Sequence, residues 1–310
     1  MKRLYSSFKK TLPIIMILLT FGGVSLAQEE NTDAEKKEKI EPKKKKDRPV
    51  RAPFESSILI DNQTTVVPTK KTLQMEINHR FGSLENGAND SYGMWANTNI
   101  RLGMTYSILK DVSIGIGATK FNEMIDFNAK YNFMKQTRSW SKPVSLAVFF
   151  NAGYDSRREE EGGYFEKEAH RLSYYTSLIA SVRINKKLSL QLSPSMSHYN
   201  AVDSLYSNDI FAIAFDGRYK VSPQTSILFQ YFQPLNKHDI ADSEGVSLNN
   251  PKPNIGLGVE IATSSHAFQI FFSNYQSIQY QNNVSNNTKD FTDGWEGWLI
   301  GFNMTRLWNL

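Results

Sequence analysis

The sequence predicts an all-β protein, a single antiparallel transmembrane β-barrel of about 12 strands that follows a cleaved signal peptide and a disordered charged linker. Apolar residues alternate with polar or small ones through most of the chain, and short connections take turns with long ones. In Asn99–Lys120, for example, Ile100, Leu102 and Met104 occupy every second position, and the alternation resumes at Val112 after a short turn. Beyond the N-terminus no apolar run approaches the length of a membrane helix, which excludes a helical membrane protein.

Residues 1–27 are expected to be a secretory signal peptide. Basic residues precede an apolar run from Leu12 to Ala27, and the small residues Ser25 and Ala27 stand just before the expected cleavage site. The run is shorter than a spanning helix requires, so an uncleaved anchor is the less favoured alternative.

Composition excludes several other classes of protein. The 310 residues include no cysteine, so a disulfide scaffold, a zinc–thiolate site, a lipid-modified cysteine and a thiol nucleophile are not possible. Removal of residues 1–27 takes away four basic residues and no acidic ones, which lowers the formal net charge from +5 to +1. The mature chain therefore gives no reason to expect nucleic acid as a partner.

Two segments separate the signal peptide from the first long strand. Residues 28–50 carry dense charge of both signs and little apolar surface, which predicts a disordered linker; contact between its lysine run and anionic lipid is a less favoured alternative. Residues 51–72 contain the apolar runs Ile58–Ile60 and Val66-Val67. We hypothesise that this pre-barrel segment enters the barrel mouth as a plug; the alternative is that it lies beneath the mouth.

Residues 73–310 are expected to form the barrel. The short connections belong at the periplasmic end and the long ones, rich in Asn, Asp, Ser and Gly, at the outer end, as in outer-membrane barrels. An even number of strands then leaves both chain ends in the periplasm. The 12 predicted strands are 73–81, 97–108, 112–120, 125–133, 144–154, 172–184, 188–198, 210–221, 226–235, 254–263, 266–275 and 296–308.

The apolar face of these strands is expected to contact lipid. Glycine, alanine and serine fill many positions of the opposite face, which suits a tapered interior better than a solvated surface. The alternative, a soluble β-sandwich, would turn the apolar face into a core. Aromatic residues near the strand ends would form the girdles at the two lipid–water boundaries, and these are Phe81, Tyr106, Phe121, Phe133, Tyr154, Tyr199, Tyr219, Trp298 and Trp308.

Charged residues of both signs share the inner face with the small ones. Arg80 is expected to pair with a lumen carboxylate such as Glu260 or Asp126, although a ligand contact at the outer mouth is an alternative. The mixed signs predict weak ion selectivity. The predicted lumen-lining residues are Glu76, Arg80, Arg101, Asp126, Lys130, Arg183, Asp216, Arg218 and Glu260.

Residues 52–82 carry a more specific pattern. It consists of Phe54-Glu55, Ile60–Thr64, Val67-Pro68 and His79–Gly82, and it continues in Asn99–Ile108 and Phe127–Phe133. This pattern resembles an uncharacterised family of bacterial β-barrel proteins, domain of unknown function 5777. The resemblance covers essentially the mature chain and is strongest over its first third. It implies an outer-membrane barrel of a Bacteroidota-type bacterium, and it implies no substrate.

No catalytic, cofactor-binding or metal-binding residue is predicted. Ser195, Ser197 and His198 invite comparison with the outer-membrane phospholipases, which resemble this chain in strand number, but the serine expected after the histidine is missing and there is no G-x-S-x-G elbow. The five histidines are scattered. The acidic residues of the 155–171 loop, Glu159–Glu161 among them, alternate with basic ones, which favours self-paired charge over a calcium site.

The expected function is a narrow porin-like channel for small solutes, with long extracellular loops, in the bacterial outer membrane. A non-transporting scaffold or adhesin is the first alternative, and a membrane-embedded serine hydrolase is the second. The expected partners are outer-membrane lipid and the barrel-assembly machinery. The sequence predicts neither the solute nor the oligomeric state.

Overall fold

The computed structural model describes residues 47–158, 165–203, 206–238 and 250–310. The expected signal peptide lies outside these residues, as do the linker before residue 47 and Glu159–Glu161 of the acidic loop. Within them, 12 antiparallel strands close into one barrel, which confirms the predicted architecture. Each predicted strand is present with its ends displaced by no more than three residues.

A short hairpin of β1 (Ile58–Leu59) and β2 (Asn62–Gln63) precedes the barrel, and one helix, α1 (Tyr280–Ser285), lies between its last two strands. None of the described helices is long and apolar enough to span a membrane. The barrel strands are β3 (Thr72–Ser83), β4 (Asn99–Leu109), β5 (Val112–Thr119), β6 (Met124–Met134), β7 (Ser145–Asp155), β8 (Leu172–Arg183), β9 (Leu188–Tyr199), β10 (Asp209–Lys220), β11 (Thr225–Pro234), β12 (Asn254–Ala262), β13 (His266–Ser273) and β14 (Leu299–Asn309). Short 3₁₀ turns occur at Gly87–Asp90, Phe121–Glu123, Glu168–Arg171 and Gly294–Gly297.

Every strand pairs with its sequence neighbours, and β14 closes the ring against β3, where Trp308 lies opposite Leu73. Closure of the ring matters because each unpaired backbone amide in hydrocarbon would cost several kcal/mol of free energy, and a closed ring leaves no strand edge unpaired. A β-bulge between Leu299 and Gly301 shifts the register near the outer end of this last pair.

The tight turns are built by side chains that accept hydrogen bonds from nearby backbone amides. Asn185 Oδ1 accepts from the backbone nitrogens of Lys187 (2.7 Å) and Leu188 (2.9 Å), and Ser222 Oγ accepts from that of Thr225 (3.0 Å). Such short polar side chains favour turns because they replace the missing strand partner. These turns lie at the end of the barrel where Thr72 and Asn309 pair, which is therefore the periplasmic end.

Exposure alternates along most of each strand, and the apolar side chains are the exposed ones, so the apolar face lies outside the ring. The side chain of Phe127 is 58% exposed, whereas that of the preceding Asp126 is fully buried. An apolar belt of this extent is far larger than the exposed patch of a soluble monomer, and lipid is the solvent that it suits. The belt includes Leu102, Met104, Ile114, Ile116, Phe127, Val148, Phe150, Leu178, Leu192, Ile227, Leu257, Val259, Ile270 and Phe272.

The aromatic residues near the strand ends divide between the two faces. Phe121, Phe133 and Tyr219 are exposed on the outside, as the girdle prediction requires. Tyr199 differs, since its hydroxyl donates a hydrogen bond to Asn282 Oδ1 (2.7 Å) inside the barrel. The alternation explains the difference: Ser197 is buried on the inner face, so Tyr199, two residues later, lies on the same face.

A charge placed on the outer belt tests whether that belt contacts lipid. We expect Phe127→Arg to lower the free energy of unfolding in lipid vesicles by about 2–4 kcal/mol, because an arginine in mid-strand must enter the hydrocarbon. Phe121→Arg is the matched control, since Phe121 is 53% exposed but lies in the outer 3₁₀ turn. It should cost only about 0–1 kcal/mol, and equal losses in denaturant titrations of the two variants would contradict a lipid-facing belt.

Candidate functional site

The interior of the barrel holds two inserts, and the first is the N-terminal hairpin, residues 56–65. It consists of β1, β2 and the two-residue turn Ile60-Asp61, and its side chains are buried. Ile60 has φ = 53°, a left-handed conformation that a β-branched residue rarely adopts. Leu59 and Ile60 pack with Phe54 and with Leu228 and Phe271 of the wall. The hairpin is therefore held in a strained turn by its surroundings.

Asp61 at the hairpin tip is the centre of a polar cluster. Arg80 Nη2 lies 2.6 Å from its Oδ1 in an ion pair whose side chains are both 1% exposed. Its Oδ2 accepts hydrogen bonds from Asn254 Nδ2 (3.0 Å) and Gln230 Nε2 (3.2 Å). A buried ion pair is stable only when its remaining lone pairs and protons are also satisfied, and these amides do that. Arg80 therefore pairs with the hairpin, and not with Glu260 or Asp126 as the sequence suggested.

Wall side chains also bind the backbone of the hairpin. Lys130 Nζ donates to the carbonyl oxygens of Ser57 (3.1 Å) and Thr64 (3.2 Å), one on each arm. Gln269 Nε2 donates to Ile58 O (2.8 Å), and Gln191 Nε2 donates to Gln63 O (2.9 Å). The inward-facing polar residues of the barrel thus serve as partners for peptide groups that would otherwise be unsatisfied inside the lumen. Asn132 Nδ2 and Asn303 Nδ2 likewise donate to Thr65 O and Ile60 O, whereas Gln74 Nε2 donates to the side-chain oxygen Ser57 Oγ.

A second charge cluster lies within the wall itself. Arg101 donates from Nε and Nη2 to the two carboxylate oxygens of Asp126, both at 2.8 Å, and Arg101 Nη1 lies 3.1 Å from Glu76 Oε2. This bidentate geometry is the strong form of an arginine–carboxylate pair. Gly103 and Gly117 leave the space for it, because a Cβ at either position would collide with the guanidinium. The small residues of the inner face therefore have a definite role here.

The second insert is the outer-loop insert, residues 274–298, whose first half folds back into the outer half of the lumen, while most of residues 288–296 are exposed. The Tyr280 ring packs against Phe149 (5.0 Å between ring centroids) and Tyr175 (5.2 Å), and Val284 is buried beside them. Ser285 Oγ donates to Ser197 Oγ of the wall at 3.1 Å. Burial raises the pKa of the Tyr280 hydroxyl well above its ordinary value, so this hydroxyl is neutral.

The two inserts meet in the middle of the lumen. Gln63 Nε2 of the hairpin donates to the hydroxyl oxygen of Tyr280 at 2.6 Å. Two cavities of about 260 and 300 Å³ lie at the outer mouth, one beside Lys120 and Gln276 and the other beside Tyr199 and His238. Below the mouth, the buried side chains of the two inserts occupy the lumen.

The chain before the hairpin is attached to the periplasmic face. Val50 N donates to Gln136 O and Arg138 N donates to Arg48 O, each at 2.9 Å, so residues 47–50 add a short antiparallel bridge to the β6–β7 connection. Hydrogen bonds from Ser139 and Ser141 lower the pKa of Asp47 to about 2. This pairing differs from the predicted disordered linker over its last four residues, because backbone partners compensate for their low apolar content.

The nine predicted lumen residues fall into two groups. Arg183 is the exception, since it is only half-buried at the periplasmic rim, where its Nε donates to Asn185 O (3.2 Å). Sequence reasoning missed Asp61, Glu55, Gln63 and Tyr280, because the partner of a lumen charge cannot be told from its own strand. That the nine predicted residues line a conducting path stays a prediction. The remaining eight, Glu76, Arg80, Arg101, Asp126, Lys130, Asp216, Arg218 and Glu260, are buried inside the ring.

The residues that suggested a hydrolase do not come together. His198 Nδ1 lies 2.7 Å from Asp209 Oδ1, on the outward side of β9 and β10. Ser195 Oγ and Ser197 Oγ donate to the carbonyl oxygens of Ala212 and Gln281 inside the barrel. The serines and the histidine thus lie on opposite faces of one strand and form no triad. Among the described residues, no three acidic or histidine side chains form a group that could hold a metal ion.

Several solved structures are similar to this chain. The NanC porin matches with a TM-score of 0.47 and 10% identity, and the match covers 76% of this chain and 98% of that one. The KdgM porin matches with a TM-score of 0.43 and 7% identity, over 76% and 98% of the two chains. An outer membrane channel from Pseudomonas putida F1 matches with a TM-score of 0.47 and 11% identity, over 78% and 97%. No curated protein matches the chain.

The description of the matching family is "Membrane bound beta barrel domain (DUF5777)", and its model matches residues 54–308. The match begins before the first barrel strand and takes in the N-terminal hairpin. It ends within β14, so both inserts and the whole ring lie inside it. With this match and the lipid-facing belt of a closed β-barrel, the chain belongs to the DUF5777 family of membrane-bound β-barrels and resides in the bacterial outer membrane.

Proposed function

We propose that this protein is an outer-membrane channel for small polar solutes, held closed by its two inserts, and that the N-terminal hairpin is the part that moves. The observation that carries the proposal is the chemistry of the hairpin–wall contacts. Apart from the packing of Leu59 and Ile60 against Leu228 and Phe271, they are hydrogen bonds and one ion pair with inward-facing polar residues such as Lys130, Gln191 and Arg80. Water can hydrate these polar residues when the hairpin leaves them.

The free energies of the hairpin–wall contacts favour a hairpin that can leave the lumen over one that is a permanent part of the core. A hydrogen bond between protein groups contributes only about 0.5–1.5 kcal/mol net, because water replaces it when the groups separate. The buried charges of Arg80 and Lys130 would be hydrated in an open lumen, whereas an apolar wall would resist opening. Well-packed apolar residues usually replace a buried ion pair without loss of stability. A hairpin that only filled the lumen would therefore not require the Asp61–Arg80 ion pair.

The way the inserts are attached favours the hairpin as the gate. The hairpin joins the barrel wall covalently only on its downstream side, through the segment 66–71 to β3. The outer-loop insert is tethered at both ends, to β13 and to β14, and its helix is packed among aromatic rings. Withdrawal of the hairpin breaks no strand pairing. The outer-loop insert would then remain as a constriction, which supports a narrow pore.

A non-transporting barrel is the second candidate, and the occupied lumen favours it. In that case the inserts would be permanent, and the barrel would only support its outer loops. Deletion of residues 51–70 separates the two candidates in planar bilayers. The channel requires a higher conductance in the deletion variant than in the complete chain, whereas the non-transporting barrel requires the same conductance in both.

Cysteine pairs can lock each insert separately, because the chain has no cysteine of its own. The hydroxyls of Thr65 in the hairpin and Ser181 in the wall are hydrogen-bonded, so Thr65→Cys/Ser181→Cys places two thiols within disulfide reach. We expect oxidation to reduce the open probability in planar bilayers by at least about tenfold, and reductant to restore it, since the locked hairpin cannot leave.

Ser197→Cys/Ser285→Cys is the matched control, because Ser285 Oγ donates to Ser197 Oγ at 3.1 Å and this pair locks the outer-loop insert. Oxidation of the control pair should leave the conductance unchanged. A loss of conductance in the control pair, with none in the hairpin pair, would make the outer-loop insert the gate instead.

The Asp61–Arg80 pair should hold the closed state. We expect Asp61→Asn to raise the open probability, because it leaves Arg80 as an unpaired buried charge, at a cost of about 3–5 kcal/mol to the closed state. The double variant Asp61→Asn/Arg80→Gln removes that charge and should return the conductance toward the original value. Single-channel recordings in which Asp61→Asn matches the unaltered protein would contradict this role of the pair.

A further inference from the structure

A single carboxylate at the periplasmic end of the lumen faces an excess of cations. Arg51 Nη2 lies 2.9 Å from Glu55 Oε2, and Lys220 Nζ lies 3.2 Å from Glu55 Oε1. Arg218 Nη1 lies 3.4 Å from the same Oε1. We call Arg51, Arg183, Arg218 and Lys220 the basic mouth. Glu55 occupies the position in it that an anionic solute would take.

Arg218 is the unsatisfied member of the basic mouth. Its side chain is 2% exposed, yet neither Nε nor Nη1 has a hydrogen-bond partner in the part of the chain that the structure describes. A guanidinium has five donor hydrogens in a fixed fork, and burial without partners is costly for it. Glu55 lies within ion-pair distance of Arg218 but is not placed to accept a hydrogen bond from Nη1. These two donors lie on different edges of the guanidinium, so a ligand with two carboxylates can accept from both, whereas a single carboxylate cannot.

The balance of charge in the basic mouth also favours the binding of a further anion. Arg183 is close enough to interact electrostatically with Arg218, Arg51 and Glu55, so four cations face Glu55. Glu260, which is also buried, is the other carboxylate near Arg218, and one of its oxygens is held by Gln269 Nε2 at 3.0 Å. Two carboxylates against four cations leave a net charge of +2 around Arg218, whose side chain is buried.

Glu55 is held in its ionised form by the same cations. Burial by itself would raise the pKa of Glu55, but Arg218, Lys220 and Arg51 outweigh that effect and keep the pKa below its ordinary value. At neutral pH the basic mouth therefore contains a bound carboxylate supplied by the chain itself.

We propose that the basic mouth binds a small dicarboxylate from the periplasm and that Glu55 is an internal ligand which this solute displaces. Arginine binds carboxylates strongly, and a dianion brings one more negative charge than the Glu55 carboxylate that it displaces, which lowers the net charge of the basic mouth from +2 to +1. Arg218 and Lys220 share the inner face of β10 with the buried Asp216, so lipid headgroups outside the ring do not reach them. The solute must come through the periplasmic opening.

Displacement of Glu55 has a direct structural consequence. Glu55 immediately precedes Ser56, the first residue of the N-terminal hairpin. Its release would remove the attachment next to the hairpin and leave only the bridge of residues 47–50 upstream, so the solute would favour opening; this consequence, unlike the binding itself, rests on the proposed function. Binding can therefore be tested without any conductance measurement.

Isothermal titration of succinate into the purified full chain in detergent tests the site. We expect Glu55→Gln to bind succinate at least about tenfold more tightly than the unaltered protein, because the internal competitor is removed while the cations remain. Arg218→Gln should abolish binding. A purely structural Glu55 predicts the opposite for Glu55→Gln, since loss of its ion pairs would loosen the mouth and leave succinate affinity unchanged or weaker.

Two further variants keep the test decisive. Lys220→Gln alters a less buried position and should weaken binding even if Arg218→Gln fails to fold. Arg306→Gln is the matched control, because Arg306 lies near the periplasmic end of β14 on the exposed face. This variant should bind succinate with the same affinity as the unaltered protein. Equal losses of succinate affinity in Arg306→Gln and Lys220→Gln would contradict the proposed site.

Titrations with acetate and with inorganic phosphate test whether the site prefers a dicarboxylate. Acetate should bind at least about tenfold more weakly than succinate, because it brings only as much charge as the Glu55 carboxylate that it must displace. Binding of phosphate in preference to succinate would overturn the assignment to a dicarboxylate.

Discussion

Hydrocarbon contains no hydrogen-bond partner for a peptide group, and this constraint on the strands determines most of the structure. Each strand must pair along both edges, so β14 returns to β3 and the sheet has no free edge. The same constraint requires the strand alternation to place apolar side chains outside. Leu257 and Ile270 can contact lipid only because Glu260 and Gln269 face inward on the same two strands.

Closure produces a polar interior that the barrel cannot satisfy by itself. Arg101 pairs with Asp126 and Glu76 within the wall, but Arg80 and Lys130 depend on groups outside it. The N-terminal hairpin supplies a carboxylate for Arg80 and two carbonyl groups for Lys130. The chain thus completes its own lumen with a segment that is not part of the ring, and the join between them is made of contacts that water or a solute can replace.

The strands and the inward direction of most lumen charges could be predicted from the sequence, because both depend on a period of two. The partners of those charges could not. Arg80 and Asp61 are close in sequence, yet their pairing depends on a turn at Ile60 that points back into the ring. The outer-loop insert was also missed: its Asn and Gln side chains resemble those of a loop in water, and a polar lumen satisfies them equally well.

The amino-acid order is enough to locate the strands, to identify the face of each strand that contacts lipid, and to identify the end of the barrel with short turns. Side-chain alternation and turn chemistry act over a few residues, so these features do not depend on the rest of the fold. The contact between Gln63 and Tyr280, and the position of Glu55 among Arg51, Arg218 and Lys220, depend on the folded barrel. These contacts join segments that are brought together by closure of the ring, so their physical cause lies in the geometry of the barrel and not in any one stretch of chain.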